Sequence, residues 1–220
     1  MAALPPAFLF RFAVPCPWIK TMPRPGRGGL VDLPDSCRID QRLALAEGPR
    51  FADVRLAWNE QGIGVRIEVR GKQQTPRGSA ERPRESDGLQ LWIDTRDTRN
   101  IHRASRFCHH FFFLPAGGGP ELDEPVAGQL KIHRAAQDAP LAASGEILIH
   151  VRHFKGGYEL HGFLSAAALS GYDPENHTRL GIYYLVKDAE LGEQALGVGR
   201  DFPYWDDPSL WATLELLPGH

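Results

Sequence analysis

A two-residue period runs through most of this chain and restricts it to β structure. Val54, Leu56 and Trp58 alternate with Arg55 and Ala57, Asn59-Glu60-Gln61-Gly62 turns the chain, and Val65, Ile67 and Val69 alternate with Arg66, Glu68 and Arg70. Alternate side chains of a strand point to opposite faces, so this pattern predicts a hairpin with one buried and one wet face. Leu89, Leu91 and Ile93 repeat it against Gln90, Trp92 and Asp94. Further strands are predicted at Phe8–Val14, Ser105–Leu114, Gln129–Arg134, Glu146–His153, Tyr158–Leu164, Leu180–Lys187, Gln194–Val198 and Leu210–Leu216. Helical patterning is confined to Ser165–Ser170, ended by Gly171, while most of the prolines and glycines punctuate loops between the strands. The expectation is an all-β chain, an antiparallel two-sheet β-sandwich with at most one or two short helices. A single domain is expected over 1–220, with an N-terminal strand and Pro-rich lead over 1–45 and a core over 50–217. Gly71–Asp87 and Pro115–Gly128 read as the longest loops, polar and mobile.

Several function classes recede on composition. No apolar run approaches the ~18 residues of a membrane-spanning helix. The apolar N-terminus has no basic residue ahead of its apolar run and carries Pro5, Pro6, Pro15 and Pro17, which favours an opening strand over a secretory signal. Cys16, Cys37 and Cys108 leave at least one thiol unpaired and match no zinc spacing, so a reducing, cytoplasmic setting is expected. A net charge of −2 shows no nucleic-acid footprint, although residues 1–110 hold 18 basic and 12 acidic side chains and residues 111–220 hold 7 and 15. That asymmetry is what a protein-interaction surface would use.

Chemistry concentrates between Ser86 and Pro115. Arg96, Arg99, Arg103 and Arg106 stand there among Asp94, Asp97, Asn100, His102, His109 and His110, in the connection between two apolar strands. Spacings of three, four and three would align the arginines along a helical turn, with Ile101, Ala104 and Cys108 facing inward. Two readings are open: an anion or polyol receptor completed by His102 and His109, or an internal network in which Asp94 and Asp97 consume the guanidinium groups. Trp92 shares its face with Gln90 and Asp94, so either loops cover that face or Trp92 lines a groove. The loop Asp201–Pro208 offers Tyr204 and Trp205 beside Asp206 and Asp207, as a sugar platform or as a pinned edge. Trp58 and Trp211 read as packing, and Trp18 as an anchor for the N-terminal segment. Asp94, Asp97 and Asn100 could supply oxygens to calcium, but the arginines oppose a cation. His102, Cys108, His109 and His110 make a poor zinc set, because Cys108 and His110 face away from His109 on a strand. No Gly-x-Ser-x-Gly, P-loop or His-Glu-x-x-His occurs, so no catalytic residue is assigned and an enzyme is unsupported.

Five segments carry a resemblance: FADVRLAWNEQGIGVRIEVRGK, ESDGLQLWID, GYELHGFLSAAALSGYDP, TRLGIYYLVKDAELG and DPSLWATLELL. In that order they resemble the family 9 carbohydrate-binding modules of the larger DOMON-like group, over roughly Arg50–Leu217. Asp87 and Asp94 match the acidic residues that open and close the family's central strand, whereas His161 stands for its Glu and Leu164-Ser165 for its Ile-Pro. The resemblance implies a jelly-roll-like sandwich that binds sugar ends between aromatic side chains, with structural calcium in some members and haem in other DOMON relatives. Arg96–His110 lies outside the pattern. The expected function is a non-catalytic domain binding a carbohydrate or other polar small ligand through Trp92, Asp94, Arg96, Asp97, Asn100, His102, Arg103, Arg106, His109, Tyr204 and Trp205, with no nucleic-acid or membrane partner. A structural or protein-interaction sandwich, and a haem- or metal-binding protein with Met22 or a histidine as axial ligand, are the alternatives.

Overall fold

The structure is a computed structural model that describes residues 12–24, 29–40 and 48–219. Eleven strands form two stacked sheets among these residues: β1 (Ala13–Cys16), β2 (Ala52–Asn59), β3 (Gly62–Arg70), β4 (Gly88–Asp94), β5 (Cys108–Gly118), β6 (Glu124–Leu130), β7 (Ile147–Phe154), β8 (Gly157–Ser165), β9 (Arg179–Asp188), β10 (Gly192–Ala195) and β11 (Ala212–Leu216). The smaller sheet runs β2-β3-β8-β7; the larger runs β1-β11-β9-β4-β5-β6, with β10 also paired to β9. The only helical segments described are single 3₁₀ turns such as Pro83–Glu85, Ala166–Ala168 and Pro208–Leu210. No helix among the described residues is long and apolar enough to cross a membrane.

The hairpin read from the alternation forms with Asn59 opposite Gly62 across a two-residue turn. Gly62 sits at φ 146°, and a Cβ there would lie 1.9 Å from the Leu164 carbonyl oxygen, so the close pairing of β3 with β8 needs glycine. Asn59, buried at the same corner, donates to the carbonyls of Ile19 and Met22 and accepts from the Gln61 N–H. That ties the N-terminal segment to the hairpin. Val54, Leu56, Val65 and Ile67 of the small sheet meet Leu89, Leu91, Ile93, Phe111, Phe113, Ile182 and Tyr184 of the large sheet in one core.

Several expectations change, and one falls largely outside the described residues. β1 pairs with β11 in parallel, so the large sheet is not purely antiparallel. The predicted strand at Phe8–Val14 lies mostly outside the described residues; its described successor is Ala13–Cys16. Pro115–Gly128 is not a mobile loop but largely the paired ends of β5 and β6, with a register shift between Leu114 and Gly118. Its glycines serve close packing: a Cβ on Gly117 would lie 2.8 Å from the Gly78 backbone. Gly71–Asp87 is a folded-back loop, in which the N–H groups of Gln73 and Gln74 bind the Glu190 carboxylate and Asp87 N–H binds the Arg77 carbonyl. All three cysteines are buried and unpaired.

The outer face of the small sheet is half covered by Met22, Val31, Leu33 and Cys37, which pack on Ala57 and Phe163. The rest carries ordered charge. One cross-strand row reads Arg55, Arg66, His161, His150, and the next reads Asp53, Glu68, Glu159, Arg152. Opposite charges therefore face one another along the strands, as in the pairs Arg55–Asp53, Arg66–Glu68 and Arg66–Glu159. The hydrogen bonds from Arg152 and Arg66 outweigh the burial that opposes ionisation and hold Glu159 down at about 2.

A single buried ammonium joins three elements at the other end of the sandwich. Lys72, just past β3, reaches Asp188 at the end of β9 (2.6 Å) and Asp87 before β4 (3.4 Å), all three side chains being at most 3% exposed. Removing one partner of a buried ion pair strands the other charge in low dielectric. Lys72→Met is expected to cost about 3–5 kcal/mol of stability, read as a Tm lower by about 10 °C in a chain of this size. A variant melting with the parent would show that the carboxylates are hydrated and the ammonium dispensable.

Candidate functional site

The alternation that buries Leu89, Leu91 and Ile93 points Gln90, Trp92 and Asp94 to the other side of the large sheet. There Trp92 stands opposite His110 on β5 and Tyr183 on β9. The indole stacks on the His110 ring (centroids 4.0 Å apart, 13° between planes) and takes Tyr183 and Tyr204 edge-on at 5.6 and 5.7 Å. Tyr204 stacks on Tyr183 at 4.3 Å, and Trp205 meets Tyr204 edge-on at 5.1 Å. Five rings thus form one continuous aromatic layer reaching from the sheet to the loop above it, with Trp92, His110, Tyr183 and Tyr204 buried and Trp205 half-buried. Ile132, Val198, Trp211, Ala104 and Cys108 complete an apolar layer around it. Gln90, below, donates to the Pro83 carbonyl and binds His110 Nε2 at 2.8 Å, and burial followed by the charge of Arg84 keeps His110 neutral.

The covering loops leave a concavity of about 450 Å³ over this surface. Gln90, Trp92 and Leu185 line it from the sheet, Tyr204 and Trp205 from the loop, and Arg84, Lys187, Glu193 and Arg200 supply its charged groups. The Trp92 indole N–H is buried and has no acceptor among the described residues. A second concavity of about 370 Å³ shares Leu185, Glu193, Arg200 and Tyr204 with the first and continues towards Gly48, Pro49 and Tyr184. The loop is held by the Trp211 indole N–H on the Tyr204 carbonyl (2.7 Å) and by the Tyr183 hydroxyl on the Val198 carbonyl (2.6 Å). The wall it presents is therefore preformed.

Of the eleven residues singled out in the sequence, the structure brings Trp92, Tyr204 and Trp205 together here. The connection 95–107 is built of turns and carries no helix, so the expected alignment of its arginines does not form. The cause is local. Asp94 accepts the N–H groups of Arg96 (2.9 Å) and Thr98 (2.7 Å), Asp97 adopts φ 46°, and Thr95 N–H binds the Phe107 carbonyl. Arg96 donates to the carbonyls of Thr95 and Gly171 and lies 4.6 Å over the Phe107 ring, which Arg106 also covers at 5.0 Å. Asp97 takes Arg99 Nε and the Thr213 hydroxyl; Arg103 binds the carbonyls of Arg134 and Ala135; His102 lies 3.0 Å from Asp207; Asn100 is exposed. His109 pairs with Ile93, on the opposite face of the sheet from Trp92. Neither concavity is lined by these eight residues. Arg84, Lys187, Glu193 and Arg200 went unnoticed in the sequence. Lys187 was legible through its phase with Tyr183 and Leu185, but nothing marks Arg84 or Arg200 before the chain is folded.

No protein-family model matches the sequence, and no curated protein matches it. Among solved structures, a family 9 carbohydrate-binding module from Caldicellulosiruptor kristjanssonii in complex with cellotriose superposes with a TM-score of 0.62 over 95% of both chains, at 14% identity. The fold is that of the family 9 carbohydrate-binding modules. A module of the same family and organism in complex with glucose gives 0.60 at 14% identity, over 94% of this chain and 97% of that one. Likeness at this identity concerns the family 9 fold; the residues of the site are this chain's own.

The calcium that the family 9 resemblance implies in some members does not fit the oxygen-rich groups among the described residues. Asp87 and Asp188 converge on the Lys72 ammonium, and their other contacts are backbone N–H groups of Arg77, Ala189, Glu190 and Leu191. Asp94 and Asp97 are likewise occupied by donors. Among the described residues no group of three or more His, Cys, Asp and Glu side chains is arranged to hold a metal ion.

Burial lowers His109 from its ordinary 6.5 to about 4. In the unfolded chain that imidazole protonates near 6.5, so between these values the unfolded state binds more protons and stability rises with pH. The contribution is present above pH 6.5 and lost on falling towards 4, about 3 kcal/mol at most for this one group. His109→Gln should flatten the stability–pH curve by one proton in that window, measured by urea denaturation at fixed pH steps. An unchanged slope would mean that His109 titrates normally in the fold.

Proposed function

We propose that this chain is a non-catalytic carbohydrate-binding domain whose site is the concavity beside Trp92, Tyr204 and Trp205. The observation that carries the reading is the preformed aromatic wall with polar groups at its edge, on a fold shared with modules held in complex with cellotriose and glucose. Pyranose rings present C–H faces that stack on flat aromatic surfaces, and equatorial hydroxyls that need paired donors and acceptors. Trp205, half-buried at the loop tip, offers the accessible face. Arg84, Lys187, Arg200 and Glu193 offer donors and an acceptor at its edge.

Hydrolysis would ask for a pair of carboxyl groups flanking the glycosidic bond. Among the described residues Glu193 is the one carboxylate lining this concavity, and Arg200 holds it in an ion pair. Binding, not turnover, is what this arrangement suits.

Trp205→Ala is expected to weaken sugar binding about tenfold, the ~1.4 kcal/mol typical of losing a stacking partner. Arg103→Ala, in the 95–107 connection, is expected to bind as the parent does. Calorimetric titration with cello-oligosaccharides and monosaccharides checks both. Loss of binding in Arg103→Ala with retention in Trp205→Ala would move the site to the connection and overturn this assignment.

A further inference from the structure

The concavity is unevenly charged. Arg200 is matched by Glu193, whereas Arg84 and Lys187 form no ion pair among the described residues. Lys187 Nζ instead donates to the Arg84 backbone carbonyl at 3.1 Å, which sets the two cationic side chains at one edge of the site. Arg84 is exposed on the 3₁₀ turn Pro83–Glu85, immediately before β4, and its guanidinium is left with its donors open to the concavity.

Exposed cations are commonplace on protein surfaces, so their presence alone would say little. The contrast lies within the molecule. On the outer face of the small sheet Arg38, Arg55, Arg66, Arg70 and Arg152 are each set against Asp or Glu, with carboxylates alternating between them. At the concavity on the outer face of the large sheet Arg84 and Lys187 have no carboxylate partner among the described residues, and they line it together with Trp92, Tyr204 and Trp205. A ligand that brought its own negative charge would complete what the protein leaves open.

We infer that the sugar bound at this site carries an anionic group, best a uronic acid carboxylate, received by Arg84 and Lys187 while the ring stacks on Trp205. The inference rests on the sugar-binding reading above. A planar guanidinium fork matches a carboxylate bidentately, and the neighbouring ammonium adds a point charge without orientational demand. A sugar sulfate or phosphate shares this chemistry, since the fork also takes a phosphate bidentately, and the titration below separates it from a carboxylate.

The test is calorimetric titration of the full chain with glucuronate, glucose 6-phosphate and glucose, at low and high salt. Glucuronate is expected to bind at least about tenfold tighter than glucose, ~1.4 kcal/mol, with the gap narrowing at high salt. Arg84→Gln and Lys187→Gln should each lower the glucuronate-to-glucose affinity ratio. Tighter binding of glucose 6-phosphate than of glucuronate would keep the anionic class and overturn the carboxylate. Binding of glucose as tight as that of glucuronate overturns the inference and leaves sugar binding standing. If none of the three binds, and neutral oligosaccharides do not bind either, both readings fall.

Discussion

Strand β4 is buried along its whole length and on both faces, and the architecture of the large sheet follows from that. Its inward residues are aliphatic and need only the facing sheet. Its outward residues are Gln90, Trp92 and Asp94, which no second sheet covers. A polar amide and a carboxylate can be buried only with their hydrogen bonds satisfied. Gln90 meets the Pro83 carbonyl and His110, and Asp94 meets two backbone N–H groups of the connection that follows it. Loops are thereby drawn over the face, stapled to each other by His102–Asp207 and Arg103 on the Arg134 carbonyl and to β11 by Asp97–Thr213. The candidate site is the space those loops do not fill.

The two outer faces divide the chemistry of the sandwich. On the small sheet the Arg/Glu rows neutralise one another, and each exposed pair adds little stability, since solvent screens it. What the ladder does supply is register: a one-residue slip of β8 against β3 would exchange the apolar and charged faces and put Glu159 and His161 into the core. On the large sheet the aromatic side chains interlock and the polar groups sit at the rim, an arrangement suited to recognising something that is part apolar and part polar.

Much of this was legible in the sequence, and the boundary of legibility is physical. The period of two assigned Val54, Leu56, Leu89, Leu91 and Ile93 to the core correctly, because alternation is a property of the backbone and survives any loop arrangement. It also placed Trp92 on the opposite face and left open whether that face was covered or grooved; the structure shows both, with loops covering most of it. The arginine spacing between Arg96 and Arg106 misled, since a helical period has meaning only if the N–H groups are free to form a helix, and Asp94 captures two of them. Gly117 and Gly118 misled in the opposite sense: glycine read as a loop, whereas the contacts with Gly78 and β6 needed its small size within a strand. Arg84, Lys187 and Arg200 come from three distant segments, and only folding gives them a common address.

The junction at Lys72 has a consequence for how the molecule responds to its surroundings. A bound metal ion at such a place would make the packing of β3, β4 and β9 a function of ion concentration, open to chelation and exchange. An ammonium carried on the chain itself is always present at one equivalent and, buried, is poorly reached by dissolved salt. The positive charge that gathers Asp87 and Asp188 is thus inherited with the polypeptide, and that corner of the fold does not depend on which metal ions the solution contains.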